Sequence, residues 1–201
     1  MNNQQPTTKE IIIQLLETTK RPGIVDLIRY LESSDFFTAP ASTRFHGCYE
    51  GGLADHCLNV YNCLVFLTEN LKDSDYVLPE VKDDSIILVS LLHDLCKVNT
   101  YQPVQKWRKD AQGKWEDYIG YDKNPLMPMG HGAKSVFIAN QFINLSKDEA
   151  LAIFWHMGPY DISDYMTRNE LGQAFTESLL AFLLHQADMM ATYISENENY
   201  Q

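Results

Sequence analysis

The chain is 201 residues long, 45% hydrophobic, and carries a formal net charge of −11. That length buries a sizeable core without disulfide or metal staples, and the composition is that of a folded chain rather than a disordered one. The negative balance argues against a general nucleic-acid or anionic-membrane binder, but leaves open a small phosphorylated substrate, because a metal centre reverses the field locally.

Met1-Asn-Asn-Gln-Gln-Pro6 has neither the basic nor the apolar region of a signal peptide. The longest apolar runs, 86–92 and 179–184, are far too short to span a bilayer. Cys48, Cys57, Cys63 and Cys96 lack CxxC spacing and read as reduced thiols of a cytoplasmic protein. With no internal repeat and no linker, 1–201 reads as one domain.

In chain order, Thr7-Thr-Lys-Glu10 is a capping box that opens a helix running to about residue 19, ended by Arg21-Pro22-Gly23. A second short helix covers 24–31, and 33–43 is a loop with Phe36 and Phe37 docked on the core. In Phe45-His46-Gly-Cys-Tyr-Glu-Gly51-Gly52, the paired glycines mark positive φ or a close backbone approach. The helix after them places His56 on the face of Val60, Cys63 and Leu67, so it points inward. Alone, it would be a satisfied core histidine.

The next helix starts after a polar connection over 73–84, with Asp83 or Asp84 as N-cap, and runs through Leu91-Leu92-His93-Asp94-Leu95-Cys96-Lys97. It is apolar almost all round, as a buried helix is. Ser90, His93, Asp94 and Lys97 break the pattern on one stripe. Such groups on a core helix need mutual pairing, a metal ion or a charged ligand. An internal His–Asp hydrogen bond is the plain alternative.

Two aromatic-bearing runs within 104–121 flank Asp110-Ala-Gln-Gly113 and read as a β-hairpin. It carries Lys106, Arg108, Lys109 and Lys114, the basic cluster of this acidic chain. A solvated face is the preferred reading, and a flap near an anionic substrate the other. Gly130-His131-Gly132 opens a helix over 133–143, where His131 either aims into a cleft or simply caps. Ser146-Lys-Asp-Glu149 is a second capping box, and its helix ends at His156-Met157-Gly158-Pro159. There His156 could merely complement the helix dipole. Residues 160–172 read as a loop or lid. A last, mostly apolar helix over 175–194 carries His185 and Asp188.

None of the six histidines sits in a plainly polar run, and two carboxylates, Asp94 and Asp188, lie in the most apolar helices. One polynuclear metal site explains this more economically than separate accidents. His and Asp ligands suit Mn, Fe, Co, Ni, Zn or Mg rather than a structural zinc finger.

The order His56, His93-Asp94, His131, His156, Asp188 resembles the HD-domain metal-dependent phosphohydrolase superfamily. Gly51-Gly52-Leu-Ala-Asp-His56, Leu91 to Lys97, Gly130-His131 and Ala187-Asp188 are similar to the HD domain of bacterial 3′-5′ exoribonucleases. The chain as a whole is most similar to small stand-alone HD hydrolases of phages and Firmicutes. The resemblance implies an all-α HD bundle of about seven helices with one β-hairpin insertion, with N-terminal helices over 1–44 and a metal-binding core over 45–195. It implies His56, His93, Asp94 and Asp188 as one metal site, with Asp94 bridging to a second metal held by His131 and His156. Two divalent ions placed so, about 3.5–4 Å apart, activate water and clamp phosphoryl oxygens. Asp94 and Lys97 would be catalytic. Lys97 would meet a substrate phosphate, with a salt bridge as its plain alternative, and His46 would be a substrate-side group. His185 would pack, or orient a ligand.

The function expected is hydrolysis of a nucleotide or other small phosphate ester, with no membrane partner. A di-iron oxygenase with the same ligands and a non-catalytic HD module are the alternatives. The full ligand set counts against the second.

Overall fold

The computed structural model describes residues 5–44, 46–124, 127–162, 164–197 and 200, with the side chain of Tyr165 left aside. The leader expectation at Met1 to Gln4 and the start of the core at Phe45 lie outside them. The described residues form eight α-helices and one two-stranded antiparallel hairpin, an all-α bundle with a β insertion.

Helices α1 (Thr8–Thr18) and α2 (Ile24–Ser33) form the N-terminal part. The capping box at the head of α1 is present, with the Thr7 hydroxyl accepting from the Glu10 N–H and the Glu10 carboxylate accepting from the Thr7 N–H. The long α3 (Gly52–Lys72) lies against both α4 (Asp83–Leu92) and α8 (Leu179–Met190). Between them come α5 (His131–Ala139), α6 (Lys147–Trp155) and α7 (Tyr165–Glu177). Every residue of α4 from Ser85 to Leu92 is buried. Leu88, Leu91 and Leu92 are fully enclosed, each contributing about 1.5–3 kcal/mol of transfer free energy. The Gly51-Gly52 pair does both things its sequence allows. Gly51 has φ +87°, and a Cβ on Gly52 would stand 2.1 Å from the Gly47 carbonyl oxygen.

A buried polar knot ties α6 to the N-terminal half. Glu149 is fully buried, accepts from Ser85 Oγ at 2.6 Å, and pairs with Arg21, whose Nε also meets Asp84 at 2.8 Å. The N-cap of α4 is Lys82 rather than Asp83 or Asp84, while Asp84 sits inside the first turn, its Oδ2 meeting Arg21 and its Oδ1 accepting from the Ser85 N–H at 2.9 Å.

Several elements differ from expectation. The central helix stops at Leu92. Asp94 leaves helical geometry at φ −103°, ψ 19°, and Leu95–Lys97 is a 3-10 turn. The chain breaks where buried charge must be re-aimed, so the expected stripe is not a helical face. His93, Asp94 and Lys97 still meet, while the buried Ser90 hydroxyl lacks a hydrogen-bond partner. The expected loop at 160–172 holds most of α7, making eight helices rather than about seven. Its face is largely exposed and so has no apolar periodicity. Asp164 starts it, accepting from the Thr167 N–H at 2.9 Å. The long last helix divides at Ser178, extended at φ −129°, ψ 106°, whose side chain caps α8. After α8 comes a π turn, Ala191–Ser195. None of the described helices is long and apolar enough to cross a membrane.

Strands β1 (Tyr101–Lys109) and β2 (Trp115–Lys123) pair in register from Tyr101 with Lys123 to Lys109 with Trp115. Asp110 Oδ1 accepts from the Gln112 and Lys114 N–H groups and closes the turn. Lys106 pairs with Asp122 and Arg108 with Glu116, while Lys109 lies over the Trp115 ring. Most of the basic cluster is thus complemented by the hairpin's own residues.

Candidate metal centre

Seven of the expected residues are drawn to one place from separate elements. His56 comes from α3, and His93, Asp94 and Lys97 from the end of α4 and its turn. His131 opens α5, His156 ends α6, and Asp188 lies on α8. His56 Nε2 stands 3.2 Å from Asp188 Oδ1, 3.6 Å from Asp94 Oδ2 and 3.4 Å from His93 Nε2. His93 Nε2 is 3.4 Å from Asp94 Oδ2, and His156 Nε2 is 3.6 Å from Asp94 Oδ1.

The other ring nitrogens explain which atoms face inward. His93 Nδ1–H donates to the Ser90 carbonyl at 2.8 Å and His156 Nδ1–H to the Ile153 carbonyl at 2.7 Å. His56 Nδ1–H donates to Glu196 Oε1 at 2.9 Å, an oxygen that also accepts from Asn59 Nδ2 at 3.1 Å. With Nδ1 protonated, each neutral ring turns an Nε2 lone pair toward the Asp94 and Asp188 carboxylates and toward its neighbours. His156 Nε2 is buried without a hydrogen-bond partner. Lone pairs facing lone pairs and carboxylates are repulsive unless a proton or a cation sits between them. Such a donor set fits divalent metal ions, with Glu196 orienting a ligand ring from outside.

Without a cation, protons and Lys97 carry that load. Burial pushes Asp94 up, but Lys97, His93 and His156 hold it well below the usual carboxylate range. Asp188 is likewise held low against burial, chiefly by His56. Burial pulls His56 down, yet Asp188 and Glu196 raise it to about 9. Lys97 Nζ donates to Asp94 Oδ2 at 2.6 Å, so the salt bridge is present. Lys97 also lines a cleft of about 380 Å³ that opens on His46, His56, Asp94, His131 and Asp188.

Among the described residues, four overlapping triads could hold a metal ion: His56–His93–Asp188, His93–Asp94–His156, Asp94–Cys96–His131 and His46–His56–Glu196. His131 therefore meets the centre through Asp94 and Cys96. Its Nδ1 lies 3.5 Å from Cys96 Sγ, bringing a thiol beside a centre that the sequence presents as thiol-free. The His46 ring lies tilted against the His56 ring, centroids 4.8 Å apart, with a buried, unpartnered Nε2, and burial lowers it to about 4. His185 stays outside. Its Nδ1–H donates to the His156 carbonyl at 2.7 Å, holding that histidine's backbone.

Glu196 is the functional candidate that sequence reasoning missed. It lies past the apolar helix in a polar run, and only the π turn brings it back beneath His56. A second cavity of about 320 Å³, near Leu71, Pro79 and Leu183, contains no histidine.

Comparison with curated proteins finds 37% identity over 92 residues to the dihydroneopterin 2′,3′-cyclic phosphate phosphodiesterase of Methanocaldococcus jannaschii. The match covers 45% of this chain and 34% of that protein, so the chain spans about a third of the length of the curated relative it matches. No family profile matches the chain, and no solved structure matches it.

Proposed function

We propose that this chain is a metal-dependent phosphohydrolase of the HD superfamily, acting in the cytoplasm on a nucleotide or other small phosphate ester. The observation that carries the reading is the convergence of three histidine Nε2 atoms on Asp94 and Asp188 with every Nδ1 already committed elsewhere. The partial relative, a phosphodiesterase of a cyclic phosphate, supports the same reaction class.

On this reading His56, His93, Asp94 and Asp188 hold one divalent ion, and Asp94, His131 and His156 a second. Bound there, Mn, Co, Ni, Fe, Zn or Mg supplies Lewis acidity toward a phosphoryl oxygen and lowers the pKa of water. The rest is done by the chain itself. Asp94 presents one oxygen to each side of the centre. Lys97 stays cationic, orients Asp94 and faces the cleft, where it meets a substrate phosphate. Glu196 fixes the His56 ring. His46, neutral near pH 7, offers a ring nitrogen to the substrate.

The test is metal content together with hydrolysis. Protein purified without chelator or nickel is expected to carry two equivalents of divalent metal and to release product from a panel of nucleotides and cyclic nucleotides. Absence of metal, with no uptake of Mn, would overturn the proposal. Two redox-active irons without hydrolysis would replace it with an oxygenase.

A further inference from the structure

On the phosphohydrolase reading the cleft receives a phosphate, and its rim bears on what the phosphate is attached to. The floor is charged: His56, Asp94, Lys97 and Asp188. The rim on the α6 and α8 side is different, made of Met157, Tyr160, Met189, Thr192 and Tyr193. Tyr160 and Tyr193 are 65% and 55% exposed, and both line the same cleft.

Both tyrosines are carried on backbone that departs from α geometry. Tyr193 lies in the π turn, where the Glu196 N–H reaches the Ala191 carbonyl at 2.9 Å. The wider turn puts Thr192 and Tyr193 on the cleft beside Asp188 and Met189, and lets Glu196 return to His56. Such π insertions are frequent at functional sites. Tyr160 lies in the 3-10 turn Gly158–Asp161. Gly158 has φ +54°, and a Cβ there would stand 2.4 Å from His185 Cε1. The same His185 ring holds the His156 carbonyl. Each rim turn is thus tied to a residue of the centre.

We propose that Tyr160 and Tyr193 are specificity-determining residues that form a stacking wall for a planar heterocyclic ring, so that the substrate is a phosphate ester whose organic part carries such a ring. Tyrosine faces accept a flat π system without demanding a fixed hydrogen-bond pattern. The reverse orientation is disfavoured, because a ring on the floor would strip water from Asp94 and Lys97 without compensation.

The experiment titrates Mn-loaded protein with the 5′-phosphonate analogue of AMP, whose P–C bond resists hydrolysis, and with its base-free ribose counterpart. Wild type is expected to bind the base-bearing compound about ten-fold or more tightly than the base-free one. Tyr160→Ala and Tyr193→Ala should each shrink that ratio, and the double variant should bring it close to one, with metal content unchanged. Tyr160→Phe and Tyr193→Phe should keep it, since the ring face remains. A wild-type ratio near one, or a ratio undiminished in the double alanine variant, overturns the stacking wall. Equal binding of the base-free compound with and without Mn is a separate result that overturns the phosphohydrolase reading, and the ratio still judges the wall.

Discussion

Two clusters of charge in this chain look alike in the sequence and end differently in the structure. The hairpin's basic residues find partners across the strands of the same hairpin: Lys106 with Asp122, Arg108 with Glu116. The centre's carboxylates and histidines come from helices up to 140 positions apart, as His56 and Glu196 do, and they meet with lone pairs facing inward. A charge cluster closed by its own element is a solvated surface. One assembled from remote elements is held together by the whole fold, and its inward-facing groups could hold a metal ion.

The largest effect should come from Asp94→Ala. We expect loss of bound metal and of hydrolysis, by a factor of a thousand or more on the order of magnitude that metal activation supplies, with helical circular dichroism retained. An active, metal-replete Asp94→Ala protein would collapse the distinction between the two clusters. Next is chelation. Removing metal with EDTA should lower the thermal midpoint, because a ligand held only by the folded state stabilises it, by about 2.7 kcal/mol at a hundred times its dissociation constant. The midpoint should return on adding Mn, and no return would mean the centre is a polar core.

His131→Ala should lower metal stoichiometry from two to one, since among the described residues His131 joins the centre in the triad with Asp94 and Cys96. Unchanged stoichiometry would show that His131 is not a ligand. Glu196→Gln should keep the fold and weaken metal affinity by about 10–100-fold, the usual cost of losing a carboxylate behind a ligating histidine; metal-buffered titration reads this directly. The smallest effect belongs to the hairpin. Arg108→Ala, breaking an exposed pair with Glu116, should change stability by less than about 1 kcal/mol and leave hydrolysis unaltered. A loss of activity there would return the hairpin to the role of a substrate flap.

Much of the architecture was legible because it is written locally. The capping boxes at Thr7 and Ser146, the all-round apolar α4, the Asp110 turn and the Gly51-Gly52 approach each depend on residues within a few positions. The inward-facing histidines were legible from helical periodicity and from the resemblance they carry. Helix α7 was not, because a helix with few buried residues shows no periodicity. The break after Leu92 was not, because the local pattern continues through it and the reason to stop is the position of His156 and Lys97.

By itself, the sequence determined that His56, His93, Asp94 and Asp188 lie on apolar segments that must be buried. Tertiary structure alone decided that His93 and His156 lean on their own helix carbonyls and so turn Nε2 inward. It also decided that Glu196 stands behind His56, and that Tyr160 and Tyr193 share the rim. The physical reason is that composition and periodicity report the free energy of burying a side chain. Coordination and recognition depend on where single atoms point, which is settled only when distant helices pack.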